Sequence, residues 1–329
     1  MVNVSVIIVN YKTPELILDC LYTIYEQTKV VSFEVIIVDN DSQDNSQFII
    51  QNQYPDVQWI QMNYNAGFAR ANNAGIKAAA GEYVLLLNSD TLMLENALDK
   101  IVSYVSQDNS VAAASVQLLY ADLSPQNAGN YFVYGGVNVL LTLPVLNYVV
   151  KGIGKLLKLR KPSIKASDVI NNVDWISGAF MLVRKSVLDK TGAMDEDFFL
   201  FSEEIEWCSR LKNAGKISVY TDLRVIHLEG GTTKNTSAGD EQNYYEYWTV
   251  KGRQLMLSNL LRIRKQYSIM SMFLIYTFYV LEIPILFFAA IFSTKYNFKQ
   301  LVNYFHNILR VTMYIPKIIS NKPYFYKVM

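Results

Sequence analysis

The stretch EYVLLLNSDT, Glu82–Thr91, is the segment that best indicates how this chain folds. Its continuous apolar run, Val84–Leu87, is typical of a strand that is buried on both faces of a sheet. The run stops at Asn88-Ser89-Asp90, three small polar residues with one carboxylate. Because such residues favour turns, this end is either an ordinary strand-to-turn junction or a place where the lone carboxylate of Asp90 has a function.

Strand and helix patterns alternate on both sides of this segment. The predicted strands are Val4–Val9, Phe33–Val38, Val57–Met62 and Glu82–Leu87, and the predicted helices are Pro14–Tyr25, Asp44–Gln53, Gly67–Ala80 and Glu95–Ser106. This alternation predicts an α/β fold with a mainly parallel sheet and helices on both of its faces. Ligands of such sheets bind beyond the carboxyl ends of the strands.

Polar residues follow each of these strands, at the edge where a ligand is expected. They are Asn10-Tyr11, Asp39-Asn40, Asn63–Asn65 and Asn88–Asp90. No GxGxxG follows a strand and no GxxxxGK[ST] occurs in the chain. The sequence therefore argues against dinucleotide oxidoreductases and P-loop enzymes.

Composition limits the remaining classes. The chain has 329 residues, 51% of them hydrophobic, which is ample for a packed core. Its 30 basic and 29 acidic side chains give a net charge of +1, without the basic field of a nucleic-acid-binding protein. The two cysteines, Cys20 and Cys208, lack CxxC spacing, which suits a reducing compartment. The start, MVNVSVIIVNYK, predicts a first strand and not a signal peptide.

Seven ordered stretches carry a resemblance to a known family. They are VSVIIVNYK, VIIVDNDSQD, NYNAGFARANNAG, GEYVLLLNSDT, WISGAFMLVRK, FFLFSEEIEWCSRLKNAG and VIHLEGGTT, spread over residues 3–233. In this order they resemble the motifs of the inverting glycosyltransferases of family 2, most closely the rhamnosyltransferase-like branch. The resemblance implies the GT-A fold, with a Rossmann-like sheet. We therefore expect a catalytic domain at 1–245, with a nucleotide-sugar half (1–120) and an acceptor and base half (121–245). The resemblance does not reach residues 246–329, whose aromatic and apolar composition predicts a helical, membrane-associated region.

The resemblance gives Asp90 a role as a metal ligand. In the family, an acidic DxD-like motif at this strand end binds the cation that neutralises the leaving diphosphate, and here the motif is Asn88-Ser89-Asp90. Mg²⁺ or Mn²⁺ is the implied cation. His227, one of two histidines, lies where relatives often supply a second contact. A histidine after a strand can equally be a structural residue.

The resemblance also assigns the donor site. Asp39 would accept the ring N–H of uracil or thymine, although a carboxylate at a strand end can also cap a turn. Asn10 and Tyr11 would flank the base. The other implied donor contacts are Asn65, Gly67, Arg70, Asn72, Ser89 and Asp90. Arg70 could equally be a solvated helix residue, and Asn73 is expected to link two loops.

The stretch FSEEIEW supplies the implied base. Displacement with inversion needs one general base, usually a carboxylate. By resemblance Glu204 takes the acceptor proton, and Glu203 binds the acceptor or orients the loop. The alternative is an acidic helix N-terminus, favoured by the helix dipole. Trp175 and Gly178 would lie under the donor sugar and the acceptor, where a glycine permits close approach.

Two segments predict contact with a membrane. Ile269–Phe292 has the length of a span, but Glu282 and Pro284 interrupt it. Val149–Lys161 interleaves Lys151, Lys155 and Lys158 with apolar residues, as interfacial helices do. The alternative is a soluble helical subdomain that buries its apolar face in a homo-oligomer.

Together these features predict a cytoplasmic enzyme that is peripherally associated with the inner face of a bacterial membrane and takes part in surface-polysaccharide and cell-wall assembly. Its donor would be dTDP-L-rhamnose or a UDP-sugar, and its acceptor a saccharide or a lipid-linked saccharide, with no nucleic-acid partner. The competing hypothesis is a catalytically degenerate nucleotide-sugar-binding protein.

Overall fold

The computed structural model describes residues 2–156, 158, 169–228 and 246–329. The chain forms two compact units, each assembled from separate stretches. The first unit comprises Met1–Tyr131, Ser163–Asp195 and Trp207–Gly239, and the second comprises Phe132–Pro162, Glu196–Glu206 and Asp240–Met329. The boundary that the sequence placed at 245/246 adjoins residues outside the described ranges and stays a prediction.

A mixed sheet forms the centre of the first unit. Its strands and those of a small second sheet are β1 (Val4–Asn10), β2 (Phe33–Asp39), β3 (Gln58–Gln61), β4 (Tyr83–Leu87), β5 (Thr91–Met93), β6 (Val111–Leu119), β7 (Gly129–Asn130), β8 (Ile170–Val173), β9 (Trp175–Ile176), β10 (Phe180–Arg184) and β11 (Lys216–His227). The large sheet has the order β3-β2-β1-β4-β10-β6-β11-β5, with β8 also paired to β11. Strands β7 and β9 pair separately.

The sheet changes direction at β10. Strands β3, β2, β1 and β4 pair in parallel, as the alternating sequence pattern predicted. Strand β10 runs antiparallel to both β4 and β6, and β5 and β8 run antiparallel to β11. The predicted α/β sheet with flanking helices is confirmed, and parallel pairing is confined to its N-terminal strands and to β6 with β11.

The helices are α1 (Pro14–Gln27), α2 (Ser46–Gln53), α3 (Gly67–Ala78), α4 (Ala97–Gln107), α5 (Leu146–Leu156), α6 (Leu188–Thr191), α7 (Glu203–Leu211), α8 (Val250–Gln266), α9 (Ile269–Phe292), α10 (Phe298–Thr312) and α11 (Ile315–Ser320). Two 3₁₀ segments, Tyr134–Thr142 and Lys185–Val187, complete the list. The four helices predicted before residue 107 are confirmed within a few residues.

Small residues let α3 lie close against the sheet. A Cβ atom on Gly75 would lie only 2.5 Å from Cγ2 of Ile7 in β1. A larger residue there would push α3 away from β1. This close packing fixes the start of α3, at Gly67, beside the carboxyl ends of the strands.

The sequence also predicts short strands at Val173–Ile176, Ile217–Tyr220 and Val225–His227, and all three differ from the strands observed. Ile217–Tyr220 and Val225–His227 belong to one strand, β11, whose register against β6 shifts between Tyr220 and Arg224. The extra residues of this bulge interrupt the apolar alternation, so the sequence suggested a break. The predicted strand Val173–Ile176 divides at Asp174, because β8 pairs with β11 and β9 pairs with β7.

Helix α8 packs against α9, α10 and α11 in the second unit. Helix α8 also contains buried polar side chains, among them Gln254, Asn259 and Arg262. Of the predicted interfacial segment Val149–Lys161, the structure describes α5 and Lys158, and the rest lies outside the described residues.

Candidate active site

The carboxyl ends of β1 and β2 place Asn10 beside Asp39 in the first unit. The two residues are register partners, and Asn10 Nδ2 donates to Asp39 Oδ1 at 2.7 Å. Asp39 Oδ2 accepts from the N–H of Ser42 at 2.9 Å and from Gln61 Nε2 at 2.7 Å. Asp39 is therefore a buried acceptor held by donors from several segments. Its contact with a pyrimidine stays a prediction.

Thr13 connects this pair to the end of β4. The N–H of Thr13 donates to Asn10 Oδ1 at 3.2 Å, and Thr13 Oγ1 lies 3.3 Å from Ser89 Oγ. Tyr11 is half-buried next to Asn10, and Lys12 Nζ lies 5.6 Å from its ring centroid. The predicted donor residues on β1, β2 and β4 thus meet at one edge of the sheet.

Asn65 attaches the start of α3 to the same edge. Its Oδ1 accepts from Asn40 Nδ2 at 3.1 Å and from the N–H of Gly67 at 3.2 Å. Gly67 has φ +77°, a conformation that glycine adopts without strain. Of the predicted donor residues, Asn65 and Gly67 therefore adjoin the strand ends.

The other predicted residues of α3 contact Tyr64, the helix itself and Met194. Arg70 donates to the hydroxyl of Tyr64 at 3.0 Å. Asn72 is buried and donates to the carbonyl of Phe68 in its own helix at 2.9 Å. Asn73 exchanges two hydrogen bonds with the main chain of Met194, at 2.8 and 3.0 Å, so the predicted link between loops is present.

Asp90 and His227 meet where β5 pairs with the end of β11. His227 Nε2 lies 3.4 Å from Asp90 Oδ1 and 3.1 Å from Asn88 Nδ2. The main-chain N–H of Leu228 donates to the Asp90 carbonyl at 3.0 Å. The Gly-rich residues 229–231 lie outside the described ranges. Within those ranges no cluster of three or more His, Cys, Asp or Glu side chains is placed to bind a metal, so this site offers two such ligands.

Gln126 contacts His227 and was not anticipated from the sequence. Its Nε2 donates to the His227 carbonyl at 2.9 Å, and its Oε1 lies 2.9 Å from His227 Nδ1. Gln126 is in the stretch SPQNA of the loop between β6 and β7, whose composition indicates only a turn. No sequence signal could have identified it.

The segment from Trp175 to Ala179 lies beside the Asn88–Asp90 turn. The carbonyl of Ala179 accepts from the N–H of Asn88 at 3.1 Å and from Thr91 Oγ1 at 3.3 Å. Trp175, in β9, is half-buried, and Gly178 is buried. The structure therefore brings the predicted acceptor segment next to the metal-ligand candidates.

The two glutamates that are candidates for the general base, Glu203 and Glu204, belong to the second unit and begin helix α7. The residues just before it, Phe201 and Ser202, have φ of +73° and +68°. Two successive non-glycine residues in this region store strain, which surrounding contacts must offset. Ser202 Oγ donates to Asn259 Oδ1 at 2.9 Å, and Ser258 Oγ donates to the Leu200 carbonyl at 2.7 Å. Helix α8 thus holds the turn that presents the two carboxylates.

The two carboxylates differ in environment. Glu203 is 2% exposed, and its Oε2 has no hydrogen-bond partner among the described residues. Burial, with a contribution from the charge of Glu204, raises the pKa of Glu203 well above its usual value. Burial also raises the pKa of Glu204, which is half-buried, while the charge of Arg262 opposes that shift. The buried member is therefore suited to hold a proton, and Glu204 is the more accessible one.

Comparisons with known proteins identify the family. The family model for Glycosyl transferase family 2 matches residues 5–191, more than half of the chain. The chain is 26% identical over 253 residues to the O-antigen biosynthesis protein RfbC of Myxococcus xanthus, covering 74% of this chain and 18% of RfbC. It is 32% identical over 160 residues to the rhamnosyltransferase WbbL of Escherichia coli K12, covering 45% of this chain and 55% of WbbL. It thus spans less than two thirds of either relative.

A solved structure shows the same fold. The mannosyltransferase PcManGT from Pyrobaculum calidifontis, in complex with GDP-Man and Mn²⁺, superposes with a TM-score of 0.54 and is 15% identical in sequence. The match covers 95% of this chain and 87% of PcManGT. The fold is GT-A, as the resemblance implied, and the chain belongs to glycosyl transferase family 2.

Proposed function

We propose that this chain transfers a sugar from a nucleotide donor to a saccharide or lipid-linked saccharide, with inversion at the transferred carbon. One observation carries the proposal: Asp90 and His227, far apart in sequence, lie 3.4 Å from each other at the sheet edge that also holds Asn10 and Asp39. In open α/β sheets this edge is the usual ligand site.

Asp90 and His227 would hold a divalent cation. They offer one carboxylate oxygen and one imidazole nitrogen, and Mg²⁺ prefers oxygen ligands, so this mixed pair favours Mn²⁺ over Mg²⁺. When bound, such a cation supplies the positive charge that stabilises a departing diphosphate. Relatives of the fold are compatible with this choice, because PcManGT forms its complex with Mn²⁺.

Asp39 would select the nucleotide by accepting a pyrimidine N–H. Its Oδ1 accepts one hydrogen bond, from Asn10, within the part of the chain that the structure describes, and a carboxylate oxygen can accept a second one. We favour dTDP-L-rhamnose because WbbL is named a rhamnosyltransferase, with UDP-sugars second. Tyr11 and Asn65 would flank the nucleotide, and Gly67, Ser89, Arg70 and Asn72 remain its proposed further contacts.

Glu204 would accept the proton of the attacking hydroxyl. A general base must be reachable and ionised near the working pH, and a raised pKa brings a carboxylate closer to that optimum. Glu204 is more accessible than the buried Glu203, and the charge of Arg262 favours its ionised form. Glu203 is buried, and its Oε2 has no hydrogen-bond partner among the described residues, so Glu203 would stay protonated beside the ionised Glu204. Trp175 and Gly178 would line the acceptor side.

The second unit would contact the cytoplasmic leaflet. Helix α9 has the length and the apolar composition of a membrane-crossing helix, and only 22% of its apolar 18-residue stretch is buried. Helix α10 exposes an apolar stripe at helical spacing, formed by Phe298, Val302, Phe305, Leu309 and Met313. All charged residues of 283–329 are basic: Lys295, Lys299, Arg310, Lys317, Lys322 and Lys327. Apolar and cationic surfaces together suit an anionic interface, with α9 lying along it.

A transfer assay with a panel of nucleotide sugars tests the proposed function. The full chain is mixed with each donor and Mn²⁺, and release of the nucleoside diphosphate is followed with and without saccharide acceptors. Turnover of dTDP-rhamnose or of a UDP-sugar by the wild type, and its loss in Glu204→Gln, would support the proposed glycosyl transfer. Donor binding without turnover in the wild type would instead favour the degenerate binding protein.

A further inference from the structure

The network around His227 fixes the orientation of the Gln126 amide. Gln126 Nε2 donates to the main-chain carbonyl of His227 at 2.9 Å, and only the nitrogen of the amide can do so. The carbonyl oxygen Oε1 must therefore be the atom that lies 2.9 Å from His227 Nδ1. Because Oε1 can only accept, Nδ1 carries a proton.

The opposite side of the ring faces different groups. His227 Nε2 lies 3.1 Å from Asn88 Nδ2, an amide donor, and 3.4 Å from Asp90 Oδ1. With the proton on Nδ1 of a neutral ring, Nε2 has a lone pair directed toward a carboxylate oxygen. Two lone pairs this close repel each other unless a donor or a cation lies between them.

Burial makes the arrangement specific. Gln126 and His227 are each 8% exposed, and Asp90 is 7% exposed. In such surroundings hydrogen bonds are strong and an unfavourable ring tautomer is costly. The hydrogen bond made by one ring nitrogen decides whether the other can bind a metal.

We propose that Gln126 is a positioning residue that holds His227 in the Nδ1–H tautomer, so that Nε2 and Asp90 Oδ1 form a preorganised pair for a divalent cation. In the metal-free protein the amide of Asn88 donates to the Nε2 lone pair and keeps the ring in place. This inference rests on the proposed function only in assuming that Asp90 and His227 bind a metal.

Nuclear magnetic resonance can test the tautomer directly, since the chain has two histidines. The full chain, labelled with ¹⁵N-histidine, is measured metal-free at about pH 8.5, above the usual imidazole pKa of roughly 6.5. Long-range ¹H–¹⁵N correlations distinguish the two neutral tautomers from the doubly protonated ring, and His306 is the internal reference. We expect His227 as the Nδ1–H form. The Nε2–H form or a doubly protonated His227 would overturn the proposal, whatever the transfer assay gives.

Variants test the part played by Gln126. Gln126→Leu removes the oxygen that accepts the hydrogen bond from His227 Nδ1–H, so the neutral ring should become a mixture of the two tautomers. Affinity for Mn²⁺ alone, measured by calorimetry, should fall by about 10- to 100-fold, as for other groups that orient a metal ligand. Gln117→Leu is the matched control for disturbance of the loop, because Gln117 donates to the main-chain carbonyls of Gln126 and Leu118 and, among the described residues, has no hydrogen bond to His227.

A conservative variant covers the case in which Gln126→Leu does not fold. Gln126→Glu restores an oxygen acceptor for Nδ1–H, so it should retain a protonated Nδ1. Added Mn²⁺ should broaden the His227 resonances in the wild type. Unchanged Mn²⁺ affinity in a folded Gln126→Leu protein would overturn the assignment even if the enzyme is active. If the wild-type protein shows the Nδ1–H form of His227 and binds Mn²⁺ but transfers no sugar, only the proposed function is contradicted.

Discussion

The carboxylate of Glu282, in the middle of α9, accepts the N–H of Leu146, the first residue of α5, at 3.0 Å. Its other oxygen accepts from the N–H of Val145 at 2.5 Å. The charge that interrupts the apolar run Ile269–Phe292 therefore caps another helix of the second unit. Carboxylates stabilise helix N-termini by bonding unpaired N–H groups there.

Glu282 should make stability depend on pH. Burial raises the pKa of Glu282 from 4.5 to about 7. The folded state then binds a proton that the unfolded state releases, so the free energy of unfolding should fall as pH rises from about 4.5 to about 7, by roughly 3 kcal/mol at most. Urea unfolding at several pH values measures this slope. Glu282→Gln should flatten the slope, whereas Glu26→Gln, an exposed control, should leave it. Equal slopes in all three proteins would contradict the raised pKa of Glu282.

Removal of the metal or of Asp90 should abolish transfer. EDTA should stop the reaction and Mn²⁺ or Mg²⁺ should restore it, because Asp90 is the one carboxylate of the Asn88–Asp90 turn. Asp90→Ala should lower the rate by about 10²-fold or more, equivalent to at least roughly 2.7 kcal/mol of transition-state stabilisation. Steady-state kinetics with the best donor measure both effects. Asp122→Ala, an exposed carboxylate, is the control, and full activity in chelator would refute the metal assignment.

Asp39→Asn should weaken binding of dTDP and UDP together. The asparagine amide can no longer present two acceptor oxygens to Asn10, Ser42, Gln61 and the pyrimidine N–H. Calorimetric titration of each nucleotide measures the loss, with thermal unfolding as the check on folding. Gln61→Leu removes one local partner of Asp39 and keeps its charge, so it separates local packing from base recognition. If Asp39→Asn folds and binds both nucleotides as before, Asp39 has only a structural role.

Glu204→Gln should eliminate turnover and retain donor binding. Loss of a general base costs about 10²- to 10⁴-fold in rate. Since the pKa of Glu204 is raised, the acid limb of the kcat/KM profile should lie above pH 4.5, with activity falling as the carboxylate is protonated. Glu203→Gln should retain more activity than Glu204→Gln. The reverse order would assign the base to Glu203.

The exposed stripe of α10 should bind anionic vesicles. Flotation of the full chain with phosphatidylglycerol-containing liposomes at low salt should recover it with the lipid, and salt should weaken binding. Val302→Glu and Phe305→Glu, at positions 62% and 46% exposed, should release the protein without opening its core. Phe48→Glu, at an aromatic position of the first unit that is also exposed (74%), is the control.

The lysines in α5 and just after it should add to this binding. Changing Lys151, Lys155 and Lys158 to Glu should weaken it further, by about 1 kcal/mol for each lysine near the surface. A wild-type chain that stays free of anionic liposomes at low salt contradicts membrane contact. A concentration-dependent dimer that is disrupted by Val302→Glu would instead identify the stripe as an oligomer interface.

Much of the N-terminal sheet was predictable from local sequence. Runs such as Val4–Val9 and Phe33–Val38 are buried on both faces, and the apolar pattern of such strands needs no knowledge of their neighbours. Strand direction beyond β4 was not predictable. It depends on β10 inserting between β4 and β6, a long-range pairing that leaves no local periodic signal.

For this protein the sequence alone determined the candidate residues, because Asp39, Asp90, His227 and Glu204 stand in ordered motifs that carry the resemblance to the family. The family model itself matches residues 5–191. The tertiary structure decided what surrounds them. Gln126 reaches His227 only because the loop after β6 returns to the end of β11, and Arg262 influences Glu204 only because α8 packs under the start of α7. Protonation and tautomer follow from contacts between distant segments, and those contacts exist only in the folded chain.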